Sequence, residues 1–218
     1  MGVKAVPIAL LLPTKDQVLS FQGVVGRATP KAAAVAQKAV ERLGSLAAPV
    51  SVVEEVSAEE FSAIFQGEGL NEKPNPLEAV FFEPERVSLF AVTLGEPVCA
   101  EIGRLFGAGD YPLASALDAA ASFAADRAAA WVEGQAEMPG LKTLRYSPGY
   151  CGWHLSGQKS LFKRLKPESI GIRLNDSCLM SPIKSVSGVV VSAEASKHSV
   201  KPGYAFCKSC RNKTCVAR

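Results

Sequence analysis

Residues 145–165 read RYSPGYCGWHLSGQKSLFKRL, and the segment joins two regions of different character. Pro148 fixes its own φ and Gly149 is free to take φ > 0, so Ser-Pro-Gly marks a tight turn. SGQKSLFKRL, 156–165, then reads as a short helix. Upstream lies a long Ala-rich stretch, helical from about 112 to 134. Downstream, SIGIRLNDS (169–177) and SVSGVVVSAEA (185–195) read as strands, with Ile170, Ile172 and Leu174 alternating in the first. The turn carries Arg145 on one side and Tyr150, Cys151, Trp153 and His154 on the other. Such a mixture suits either a loop pinned to the core by its aromatics or a ligand cradle.

Further toward the N-terminus, Thr29 as N-cap and Pro30 at the first helical position open a helix over about 30–47. Val35, Ala39, Leu43 and Leu46 share one face of it. Ser57 and Glu60 form a capping box for a short helix through Phe65. GEGLNEKPNPLE (67–78) reads as a surface loop. AVFFEP (79–84) and RVSLFAVTLG (86–95) read as strands, and a helix follows over about 97–106, placing Cys99 as a small core residue. Helices and strands interleave without regular βαβ spacing, which predicts an α+β fold with a mainly antiparallel sheet.

Composition narrows the classes of function. Apolar residues make up 48% of the 218 and charged residues 21%, an ordinary globular balance. A formal net charge of +3 is too small for the concentrated basic face that nucleic acid demands. The apolar run VPIALLLP (6–13) is broken by Pro7 and Pro13. It is too short to span a membrane and lacks a leader's cleavage pattern, so a cytoplasmic protein is expected. Three of the six cysteines, Cys207, Cys210 and Cys215, crowd the last twelve residues, which points to metal or redox chemistry.

The long helix has two faces. Leu113, Leu117, Ala120, Ala124, Ala128 and Trp131 form an apolar stripe. Ser115, Asp118, Ser122, Asp126 and Glu133 form a polar one almost opposite. The polar stripe is either a solvated face or, in its upper part, the lining of a polar cleft. In the second case Asp118 is the member of interest.

Arg145, Gly149-Tyr150, Phe162 on the short helix, Asn175-Asp176-Ser177 and Ser185-Val186-Ser187-Gly188 together resemble the activation (reactivation) domain of cobalamin-dependent methionine synthase. Order and spacing agree over these segments. The resemblance implies a C-shaped α+β domain with a twisted, mainly antiparallel sheet and flanking helices. It also implies S-adenosylmethionine in a shallow groove, its methyl presented to cobalamin on a partner, a corrinoid-binding protein or domain. One electron for that reactivation would come from a flavodoxin or ferredoxin-type donor. By the same resemblance Arg145 holds the ligand carboxylate, and the backbone around Ser147, Gly149 and Tyr150 contacts its adenosyl part. No catalytic residue is implied, because a metal nucleophile carries no proton to remove. Two features depart from the family pattern. Val189, Val190 and Val191 stand where several members have a Tyr, and the turn continues Cys151-Gly152-Trp153-His154 instead of Pro-Ala-Cys-Pro.

The residue types agree with such a ligand. A guanidinium gives a carboxylate two parallel charge-assisted bonds. A Pro-Gly turn lets a ligand approach backbone with no Cβ in the way. Tyr150 offers a flat wall with a polar tip, and an acid such as Asp118 would meet the ligand's amine. The expected organisation is an activation-like domain over 1–204 followed by a cysteine-rich tail over 205–218. A closed zinc site needs four ligands, whereas a four-iron cluster can use three cysteines plus an exogenous ligand or a fourth Cys, and the tail supplies three. Cys151 is the preferred fourth, with Cys178, His154 and His198 as alternatives. The competing expectations are an iron–sulfur or zinc-containing electron-transfer protein of a corrinoid methyltransferase system, and a scaffold that binds only the corrinoid partner.

Overall fold

The computed structural model describes residues 2–200 and 203–208. Its centre is a five-stranded sheet in the order β1 (Gly2–Ala5), β2 (Val50–Val56), β3 (Arg86–Thr93), β7 (Ser185–Ala193), β4 (Lys142–Tyr146). Every neighbouring pair is antiparallel. A small ladder of β5 (Arg173–Leu174) and β6 (Met180–Ser181) stands apart from it. The architecture is the α+β fold with a mainly antiparallel, open sheet that the sequence predicts.

Helices cover both faces of the sheet. One face carries α1 (Lys15–Phe21), α2 (Pro30–Leu46), α5 (Glu96–Gly107) and α6 (Tyr111–Gln135) over Phe90, Val92 and Val190. The other carries α3 (Ala58–Gln66), α4 (Leu77–Val80) and α7 (Gly157–Leu165) over Leu89, Ala91, Val189 and Val191. Because side chains alternate across a strand, a sheet covered on both sides needs apolar or small residues at every position. That is why β3 and β7 combine apolar residues with small hydroxyl side chains, and their residues are buried almost throughout.

The caps are as expected. Thr29 Oγ1 accepts from Ala32 N at 3.2 Å, and Ser57 with Glu60 forms a reciprocal capping box. Helix α6 is 25 residues long, about 37 Å at 1.5 Å per residue. Leu113, Leu117, Ala120, Ala124 and Ala128 are buried in the first core, as the stripe predicts. Its alanines let α2 and α5 pack close beside it.

Three segments differ from expectation. AVFFEP is not a strand: α4 ends at Val80, and extended structure begins only at Arg86. Asn75 Oδ1 accepts from Leu77 N at 2.9 Å and starts this helical turn, while Phe81 leaves it to enter the second core. SIGIRLNDS is extended only at Arg173–Leu174, because Pro167–Ile170 forms a 3-10 turn and Gly171 takes φ +79°. Cys99 is only partly buried. The sequence reading also missed α1, β1, β2 and β4.

Candidate functional site

Strand β4 lies at the sheet edge beside β7, with Arg145 opposite Val190 and Tyr146 opposite Val189. Strand alternation sends Leu144 and Tyr146 to the second core and Arg145 to the face under α6. There Arg145 Nη2 reaches Asp126 Oδ1 at 2.6 Å, and Nη1 lies 3.4 Å from Glu133 Oε2. Asp126 and Glu133 are seven residues apart on α6, hence on one face. Burial pushes the Glu133 carboxyl above its ordinary range, and the Arg145 charge opposes that shift.

Asp118 sits elsewhere on the same face, about 12 Å along α6 from Asp126 by helix rise. Its Oδ1 pairs with Lys184 Nζ at 2.8 Å, and the same ammonium donates to Ser122 Oγ at 2.8 Å. The structure thus brings Arg145 together with Asp126 and Glu133, and Asp118 together with Lys184. The polar stripe of α6 lies over charged side chains of β4 and the approach to β7. Lys184 was not singled out from the sequence, although the acids that flank Arg145 belong to a stripe that was.

Beyond Tyr146 the chain makes two turns in succession. Pro148 and Gly149 occupy the centre of the first, with Gly149 at φ +92° and Tyr150 N donating to Ser147 O at 3.3 Å, a type II pattern. Cys151 and Gly152 occupy the centre of the second, with φ +51° and +75°, closed by Trp153 N to Tyr150 O at 3.0 Å. Gly149 N donates to Trp153 O at 2.7 Å and ties the two together. Tyr150 stands out from this knob with 51% of its surface exposed, so it is not a core residue.

Two glycines and a tryptophan hold the knob in place. Gly188 on β7 is the closest approach: a Cβ there would lie 2.2 Å from Tyr146 O and 2.7 Å from Ser147 Oγ. Any side chain at 188 would push the turn off the sheet. Trp153 is buried edge-on to Phe61, Phe65 and Phe81, with centroids 5.6–6.0 Å away. Each such aromatic pair contributes about 1 kcal/mol beyond its area. The indole lies against the start of α7, where a Cβ on Gly157 would meet Trp153 Nε1 at 2.2 Å. Trp153 pins the aromatic-rich turn to the core, while Tyr150 remains outside it.

The histidines are engaged. His198 is buried, with Nε2 2.8 Å from Lys142 O and Nδ1 2.8 Å from Tyr146 Oη. A carbonyl only accepts, so Nε2 carries the proton and Nδ1 accepts from the Tyr146 hydroxyl. Burial holds the His198 pKa below its ordinary value. His154 Nδ1 accepts from Ser156 N at 3.2 Å. Of the expected thiol quartet, Cys151 and Cys207 are half-buried, while Cys210 and Cys215 lie outside the described residues. Among the described residues no group of three or more His, Cys, Asp or Glu side chains is placed to hold a metal. No described helix is long and apolar enough to cross a membrane.

Residues 137–201, less than a third of the chain, match the family model described as vitamin B12 dependent methionine synthase, activation domain. Among solved structures, the MetH reactivation domain bound to AdoHcy superposes with a TM-score of 0.62 at 14% identity, covering 89% of this chain and 79% of that one. No curated protein matches the chain. The family match contains Arg145, both turns, α7, the Asn-Asp-Ser segment and the Ser-Val-Ser-Gly strand, so the resemblance read from the sequence is borne out there. The structural match extends the likeness of fold over most of the chain.

Proposed function

Because residues 137–201 match the family model of the methionine synthase activation domain, we propose that the chain binds S-adenosylmethionine and serves the reductive methylation of a corrinoid carried by a partner protein or domain. The observation that carries this reading is Arg145 at the mouth of the double turn, its guanidinium beside the exposed carboxylate of Asp126. A cation and an anion side by side match the carboxylate and ammonium of an amino-acid ligand. Arg145 would fork onto the carboxylate, and Asp126 would turn from Arg145 to the ammonium. Glu133 would keep the guanidinium in place during that exchange. Asp118, half-exposed beside Lys184, is the second acid proposed to meet the ligand's amine groups.

Ser147, Gly149 and Tyr150 would face the adenosyl part, with the Tyr150 ring as a wall and Gly149 leaving room for backbone contact. When bound, S-adenosylmethionine supplies a sulfonium methyl to the reduced cobalt of the partner's corrinoid. Asp126, with 73% of its side chain exposed, and the outward Tyr150 leave the site open, as a reaction partner from another protein requires. No side chain is needed as a general base, since the nucleophile brings no proton.

The proposal includes a module over 1–204 acting in the cytoplasm and a flavodoxin or ferredoxin-type electron donor. It also assigns zinc or an iron–sulfur cluster to Cys151, Cys207, Cys210 and Cys215, supported by three cysteines within nine positions of the tail. The function is tested by following labelled methyl from S-adenosylmethionine to a corrinoid protein under reducing conditions. Transfer that depends on the chain is expected, and transfer no faster than without it would refute the proposal.

A further inference from the structure

The knob of residues 147–153 contains two adjacent left-handed residues, one of them the non-glycine Cys151. Such backbone costs about 1–3 kcal/mol and persists only when its surroundings hold it. Part of that hold comes from the loop between α3 and α4, which lies outside the segment matched by the family model. Asn71 Nδ2 donates to Phe65 O, a carbonyl at the end of α3, at 2.7 Å. Asn71 Oδ1 accepts from His154 N at 2.9 Å. The next residue repeats the link, with Glu72 N donating to Gly152 O at 2.9 Å. The ring of Phe65 also packs edge-on to Trp153.

One carboxamide therefore joins the end of α3, whose inner face is buried, to the residue that follows the double turn. An amide supplies both a donor and an acceptor at fixed separation, so it can bridge a carbonyl and an N–H that cannot bond to each other. We propose that Asn71 is a positioning residue for the ligand turn. It holds the Gly149–His154 backbone so that Gly149 and Tyr150 face the ligand before binding. This role rests on the reading of the turn as the S-adenosylmethionine groove. Asn71 touches no ligand; it removes the ordering cost that a loose turn would charge against affinity.

Hydrogen exchange on the ligand-free full chain, combined with calorimetry using S-adenosylhomocysteine, tests this. Asn71→Ala should speed exchange of the His154 amide about tenfold or more and weaken the ligand by about tenfold, the scale of one hydrogen bond. Asn71→Asp keeps the acceptor for His154 N but turns a carboxylate oxygen toward Phe65 O in place of the donor, so it should restore only part of the His154 protection and part of the affinity. Glu68→Gln, which breaks the exposed pair with Lys159 in the same loop, should change neither readout. Unchanged affinity in Asn71→Ala with a deprotected His154 amide would overturn the positioning role, as would unchanged protection. A wild-type chain that binds no S-adenosylhomocysteine would instead remove the groove reading, and the ligand role with it.

Discussion

Arg145 and Asp126 lie 19 residues apart in sequence and 2.6 Å apart in space, one on the edge strand and one on the long helix. The contact marks where the helical layer meets the open end of the sheet. It leaves a cation and an exposed anion beside a turn whose backbone is held from three sides.

Gly188→Ala should be among the most damaging single-methyl additions in the chain. The new Cβ meets backbone at 2.2 Å, so β4 or β7 must shift. A loss of about 3 kcal/mol is expected, which is a fall of roughly 6–12 °C in Tm for a domain of this size. Gly134→Ala, on α6 with nothing within 4 Å, should instead raise stability by about 0.5 kcal/mol through helix propensity. Thermal denaturation of both variants checks the contrast, and equal effects would contradict the close approach.

Glu133 titrates in a direction that can be read in stability. Its folded pKa is raised above the ordinary 4.5, mainly by burial, so the folded state binds more protons than the unfolded one in that window. Its contribution therefore declines as pH rises from about 4.5 through the folded value. Relative to wild type, Glu133→Gln should gain stability over that rise and then level off. Urea unfolding at a series of pH values measures the difference, and a relative loss over the same window would contradict the burial of Glu133.

His198 behaves in the opposite direction. Its folded pKa lies below the ordinary 6.5 because burial disfavours the charged ring. Its stabilising contribution is complete above about pH 6.5 and is lost as pH falls through the folded value. His198→Gln should remove this acid sensitivity while weakening the tie to Tyr146 and Lys142. The same unfolding series should show wild type and variant converging toward acid pH, and parallel curves would rule the effect out.

Much of the fold was legible where signals are local. Thr29-Pro30 and Ser57-Glu60 fix helix starts through bonds within four residues, so α2 and α3 could be read directly. Phe81 and Phe82 misled because an aromatic pair suits a strand, whereas Asn75 and the core around Trp153 decide otherwise. KTLRY (142–146) carries only two alternating apolar residues, Leu144 and Tyr146, too short a pattern to announce a strand, and its extended state comes from pairing with β7. The turn and Arg145 were legible as a motif, and so was the acidic stripe of α6. Which acid meets Arg145 was not, because it depends on how α6 crosses the edge strand. Lys184 was hidden for the same reason, its partners being 62 and 66 residues away.

For the cysteine tail, anaerobically purified full-length chain should contain about one zinc, or a cluster visible by absorption, coordinated as four thiolates. Cys210→Ser and Cys151→Ser should lose it to a similar extent. Full metal content in Cys151→Ser with loss in Cys210→Ser would place the fourth ligand elsewhere. Wild-type chain without metal would reduce the tail to thiols alone.

Calorimetric titration of S-adenosylmethionine into wild type, Arg145→Ala and Arg145→Lys tests the binding role most directly. Wild type should bind, Arg145→Ala should bind on the order of a hundredfold more weakly, and Arg145→Lys should recover only part of the loss, because a point charge cannot fork onto a carboxylate. Circular dichroism should show all three folded. Equal affinity in wild type and Arg145→Ala, or no binding by any of them, would contradict the assignment of this groove to S-adenosylmethionine.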